Sequence, residues 1–113
     1  MHRIIITGPT ASEKSFLAYR ICGENPTLVI NASTSTIPEM KKLIDEFYQG
    51  SIIFDEVSSC TEDKIKFIRE FIRVGRWNTL PYKLDAIIVC CRKIPVLLQD
   101  MPLIKYVTIR EKY

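Results

Sequence analysis

The residues best suited to chemistry stand in two short clusters. Gly8-Pro9-Thr10-Ala11-Ser12-Glu13-Lys14-Ser15 follows one apolar run, and Asp55-Glu56 closes another. The first cluster fits the phosphate-binding pattern G-x-x-x-x-G-K-S/T except at one position, where Glu13 replaces the second glycine. In such a loop successive backbone N–H groups form a nest for phosphate oxygens, and the next helix adds its positive end. Lys14 is then placed to reach the outer phosphates and Ser15 to ligate Mg2+. Glu13 opposes this with a Cβ where the backbone must approach phosphate, and with a negative charge nearby. Two like charges ~4 Å apart repel by roughly 4 kcal/mol at an effective dielectric of ~20, about a thousandfold in affinity. Exposure of Glu13 to solvent shrinks that penalty.

The second cluster, Ser51-Ile52-Ile53-Phe54-Asp55-Glu56, is an apolar strand ending in two carboxylates. Behind a phosphate loop, Asp55 is suited to hold Mg2+ and Glu56 to polarise an attacking water. The plainer alternative is that the pair caps the next helix. ATP and Mg2+ are the expected ligands. A third set, Lys66, Arg69, Arg73 and Arg76, recurs at helical spacing beside Ile65, Ile68 and Ile72, with Trp77 and Lys83 following. This face is a candidate contact for DNA phosphates or for a neighbouring subunit. A solvated helix face is the alternative, and Glu70 interrupts the run.

The elements that must position these groups alternate in period. Arg3 to Thr7 reads as a buried strand, Lys14 to Cys22 as a helix ended by Gly23, and Thr27 to Asn31 as a second strand. Thr36-Ile37-Pro38-Glu39 is a capping box that opens a helix stopped by Gly50. Ser51 to Phe54 is the third strand. Ser59-Cys60-Thr61-Glu62 resembles a second capping box, before a helix ending near Gly75. Asn78 to Lys83 is read as a loop, Leu84 to Cys91 as a strand, Val96 to Gln99 as one helical turn and Tyr106 to Ile109 as a last strand. The order calls for an α/β three-layer sandwich around a mainly parallel five-stranded sheet.

The 113 residues suit one domain, 1–113, and 47% hydrophobic with 26% charged residues is a globular balance. No apolar run approaches the ~20 residues that span a bilayer, and no leader pattern opens the chain, so no membrane partner is expected. The net charge of +3 does not mark a nucleic-acid binder by itself. Cys22, Cys60, Cys90 and Cys91 have no metal-ligand spacing and His2 is the sole histidine, so reduced thiols of a cytoplasmic protein are expected. Cys90 and Cys91 should face opposite sides of their strand.

Taken in order, these motifs resemble the AAA+ class of P-loop ATPases and the related viral superfamily-III helicases, over nearly the whole chain. The resemblance implies a P-loop NTPase fold and a nucleotide-binding, ATPase-like core that self-associates. It would serve viral or plasmid DNA replication as a helicase or helicase loader, in a bacterial or virus-infected cytoplasm. It assigns phosphate binding to Gly8 through Ser15, metal binding to Ser15 and Asp55, and water activation to Glu56. Lys105 falls where an arginine finger for the neighbouring subunit is expected, and Cys91 where a polar sensor usually stands. The chain closes after the fifth strand, where the class continues into a helical lid, so an open nucleotide pocket is expected. These departures and Glu13 support the alternative of a silent relative that regulates a partner ATPase or replication protein.

Overall fold

A parallel sheet has to be covered on both faces, and alternating strand residues here supply two separate apolar surfaces. The computed structural model describes residues 1–9, 11–47, 49–74 and 83–109. The elements are β1 (His2–Thr7), α1 (Ala11–Cys22), β2 (Thr27–Asn31), α2 (Ile37–Phe47), β3 (Gln49–Asp55), α3 (Glu62–Val74), β4 (Lys83–Cys91) and β5 (Lys105–Thr108). Two 3-10 turns, Val57–Ser59 and Val96–Leu98, follow β3 and β4. The expectation of an α/β sandwich holds at this level, and the five-stranded sheet is entirely parallel, in the order β2-β3-β4-β1-β5.

That order explains the layers. The crossover from β1 to β2 runs in one direction along the sheet, and every later crossover runs in the other. Right-handed connections then place α1 on one face and α2, α3 and the Val96–Leu98 turn on the opposite face. The packing agrees. Ile4, Ile6, Ile53, Ile88 and Cys90 meet Ala18 and Cys22 of α1. Ile5, Ile52, Phe54, Ile87, Val89 and Cys91 meet Met40, Ile44, Ile68, Phe71, Ile72 and Leu98. Cys90 and Cys91 thus face opposite ways, as strand alternation requires. On the larger face Phe54 and Phe71 pack edge to face with ring centroids 5.9 Å apart.

Several boundaries differ from the sequence reading, each for a local reason. The Thr36 capping box forms: the Glu39 N–H donates to Thr36 Oγ1 at 3.2 Å and the Thr36 N–H to Glu39 Oε1 at 3.3 Å. The second box does not form. Ser59 Oγ donates instead to the Glu56 carbonyl at 3.3 Å, and Thr61 accepts the first bond of α3, from the Ile65 N–H. Gly50 does not stop α2, which ends at Phe47. Gly50 lies inside β3, where the register with β4 shifts, at φ 122°. A Cβ there would sit 2.3 Å from the Pro26 carbonyl oxygen, so a close backbone approach requires glycine. Helix α1 begins at Ala11 rather than Lys14. The expected helix end near Gly75 and the loop at 78–82 lie outside the described residues.

Candidate functional site

In an open parallel sheet the crevice lies beyond the carboxyl ends of the strands, where crossovers diverge to opposite faces. Here that point is the exit of β1 and β4. Thr7 is in register with Cys91, and Phe54 with Val89, so Gly8, Cys91 and Asp55 all stand at this end of the sheet. Strand β4 separates β1 from β3, which puts their ends roughly 10 Å apart at ~4.8 Å per strand. The first turns of α1 bridge that gap.

Lys14 and Ser15 reach the crevice from α1. Ser15 Oγ donates to Asp55 Oδ2 at 3.4 Å, joining groups 40 positions apart in the chain. Asp55 Oδ1 accepts the Glu56 N–H at 2.9 Å, which orients the carboxylate. Lys14 is only 2% exposed, and its Nζ donates to the Gly8 carbonyl at 2.7 Å. That bond satisfies an ammonium group which would otherwise be buried at high cost. Gly8 is itself pinned, donating its N–H to the Cys91 carbonyl at 3.3 Å. A Cβ on Gly8 would meet Ile109 Cβ at 3.0 Å and Lys14 Cγ at 3.4 Å. Lys14, Asp55, Glu56, Ser58, Cys90, Cys91 and Arg92 line a cleft of about 10 Å3, room for about one water molecule.

The phosphate-loop expectation needs correction in its geometry. Only three residues separate Thr7 from Ala11, because Ala11, Ser12 and Glu13 already belong to α1. Ala is the best helix former, and an acidic side chain in the first turn is stabilised by the helix dipole. Glu13 lies in that turn, exposed and without the positive φ that would call for glycine. The N–H groups from 11 onward are therefore arranged as a helix N-terminus rather than wrapped as a nest. Pro9 is exposed, Thr10 lies outside the described residues, and so do the side chains of Ala11 and Ser12.

Glu56 adopts the left-handed conformation, φ 57° and ψ 38°, at the start of the Val57–Ser59 turn. A non-glycine residue held there carries strain of the kind that accumulates at binding sites. Its exposed side chain lies on the cleft rim. Cys91, expected where a polar sensor usually stands, lies in apolar surroundings. Cys91 Sγ is buried and donates to the Ile6 carbonyl at 3.9 Å. Burial pushes its thiol up to about 11, opposed by Lys14. Burial also pushes Cys90 up to about 12, helped by Asp55 and the neighbouring thiols. Both are neutral at physiological pH and neither is a nucleophile.

The remaining candidates lie elsewhere. Lys105 opens β5 in register with Ile4, while Thr108 pairs with Thr7. It therefore sits roughly 10 Å back from the strand ends at ~3.3 Å per residue, and cannot join Lys14 and Asp55 within one chain. On α3, Lys66 pairs with Glu62 at 3.4 Å and Arg73 with Glu70. Those pairs neutralise part of the basic face; Arg69 is exposed, and Arg76 and Trp77 lie outside the described residues. The sequence reading missed Ser58, Cys90 and Arg92. The available signal for Arg92 was its place as the first charged residue after an apolar strand, at the end where ligands bind.

Ser15 and Asp55 offer hard oxygen donors side by side, which suits Mg2+. Among the described residues no group of three or more His, Cys, Asp or Glu could hold a metal alone. Comparison with protein-family models and with curated proteins finds no match to this chain.

Proposed function

We propose that the chain is a nucleotide-binding module that takes a Mg2+–nucleoside triphosphate at the carboxyl ends of β1, β3 and β4. The observation that carries this reading is the convergence of Lys14, Ser15 and Asp55 at one strand-end crevice, with Ser15 Oγ 3.4 Å from Asp55 Oδ2. A lysine, a hydroxyl and a carboxylate in this arrangement have a recurrent use in phosphate chemistry. The P-loop resemblance predicts the same three residues from sequence order alone.

In this reading the Lys14 ammonium leaves the Gly8 carbonyl for a phosphate oxygen. Ser15 and Asp55 hold Mg2+, which supplies charge neutralisation at the phosphates when bound. Asp55 keeps its orientation through the Glu56 N–H. Glu56 stands on the rim, where a carboxylate can accept a proton from water. Calorimetric titration with MgATP tests the reading. The chain should bind with a dissociation constant below about 1 mM, the upper end of common substrate affinities, and Lys14→Ala and Asp55→Asn should each weaken binding. No heat from the unaltered chain at millimolar ligand would sink it.

The alternative, a silent relative that regulates a partner ATPase, is favoured by one observation. The buried Lys14 ammonium is already bonded to the Gly8 carbonyl, and α1 begins at Ala11, ahead of the position where the phosphate pattern places its second glycine. Under that reading MgATP does not bind, and the Lys14→Ala change alters stability alone. Nucleic-acid binding has less support, because Glu62 and Glu70 already pair two cations of α3.

A further inference from the structure

A helix packed on a sheet buries one side and ordinarily turns polar residues to solvent on the other. Helix α1 buries Lys14, Ala18 and Cys22. Its opposite side departs from that rule. Glu13, Phe16 and Arg20 follow one another at helical i, i+3 and i+4 steps, so they form one exposed stripe along the axis. Tyr19 stands beside it. Phe16 is 65% and Tyr19 52% exposed, so two aromatic rings are turned outward. Arg20 lies over the Phe16 ring, 5.9 Å from its centroid. Neither Glu13 nor Arg20 has an ion-pair partner among the described residues. They cannot pair with each other within one helix, where they stand roughly 10 Å apart at ~1.5 Å per residue.

We infer that the outer face of α1 docks a second copy of this chain, the two helices packing antiparallel about a two-fold axis beside Phe16. Reversing the helix about a point between Phe16 and Leu17 brings position 13 to the level of position 20. Glu13 then meets the partner's Arg20, and Arg20 meets the partner's Glu13, so one stripe supplies two ion pairs. Phe16 meets the partner's Phe16 near the axis, and Tyr19 flanks the contact. A parallel arrangement would set Glu13 against Glu13 and Arg20 against Arg20, so charge selects the antiparallel one. Self-complementarity of this kind is what an isologous contact requires, and it closes at two copies. Aromatic residues and arginine are also the types enriched at protein interfaces. Nothing in this contact requires nucleotide.

The test is sedimentation equilibrium without nucleotide, from about 5 to 500 µM chain, with a thermal melt of every sample to show it folded. One helix on each side makes a contact smaller than the standard interface, so the unaltered chain should dimerise with a dissociation constant of about 10–100 µM. Arg20→Glu and Glu13→Arg each replace two attractions with two repulsions, and each should weaken the dimer at least about tenfold. The double variant Glu13→Arg with Arg20→Glu exchanges the charges and should return to within about threefold of the unaltered chain. Phe16→Ala leaves both helix ends untouched and should also weaken the dimer at least about tenfold. A chain that stays monomeric to about 500 µM overturns the inference, and so does a species larger than a dimer. A dimer that tolerates the single charge reversals, or that the double exchange does not restore, shows that this stripe is not the contact.

Discussion

Replacing Glu13 by glycine acts on two quantities that the structure links. Glu13 occupies the first turn of α1, exposed, where its charge favours the helix. Removing a first-turn carboxylate forfeits about 0.3–1 kcal/mol, and glycine lowers helix propensity by up to about 1 kcal/mol. The turn formed by 11–13 is thereby weakened by about 1–2 kcal/mol, and it is this turn that must rearrange if its N–H groups are to surround phosphate. The direct repulsion between Glu13 and phosphate is smaller than the sequence suggests. For an exposed carboxylate the water dielectric applies, giving about 1 kcal/mol at ~4 Å. The two effects together amount to about 2–3 kcal/mol, or roughly 30- to 150-fold tighter MgATP binding. The same change should lower the melting temperature by about 4–16 °C, at about 4–8 °C per kcal/mol for a small domain. Fluorescence anisotropy with an ATP analogue and a thermal melt on the same samples read both numbers. A lower melting temperature with unchanged affinity would refute the link between the first turn and the site.

Three further changes test the fold around the site. Gly50→Ala should destabilise the protein by about 2 kcal/mol or more in urea unfolding, since the new Cβ meets the Pro26 carbonyl and the left-handed side of φ is strained. Ser51→Ala should stabilise by about 1 kcal/mol, because Ser51 Oγ is buried with no hydrogen-bond partner among the described residues. Stability should fall as pH rises from 9.0, the ordinary thiol value, toward 11, since the unfolded thiols ionise while Cys90 and Cys91 stay protonated. Each thiol contributes a slope of at most about 1.4 kcal/mol per pH unit, and Cys90→Ala should flatten the curve relative to the unaltered chain.

What could be read from sequence was what local chemistry decides. The capping box at Thr36 is a contact among four neighbouring residues, and it forms as the pattern requires. Strand alternation separated Cys90 from Cys91 for the same reason. Gly50 was misread because its role depends on Pro26, which approaches it from the end of another loop. Helix α1 starts earlier than the loop pattern implies, because Ala11 is a strong helix former and Glu13 suits a first turn. The bond from the Arg92 N–H to Ser58 Oγ could not be read from sequence, because the two residues stand 34 positions apart and meet only through the order of the strands.

The central claim is nucleotide binding at the Lys14–Ser15–Asp55 crevice. The most direct measurement is the affinity of the unaltered chain for ATP, taken with Mg2+ and again with the metal chelated. The account predicts saturable binding that weakens at least about tenfold without Mg2+, the loss of a charge-assisted contact or more. Absence of binding in both conditions, from a chain whose melt shows it folded, would contradict it.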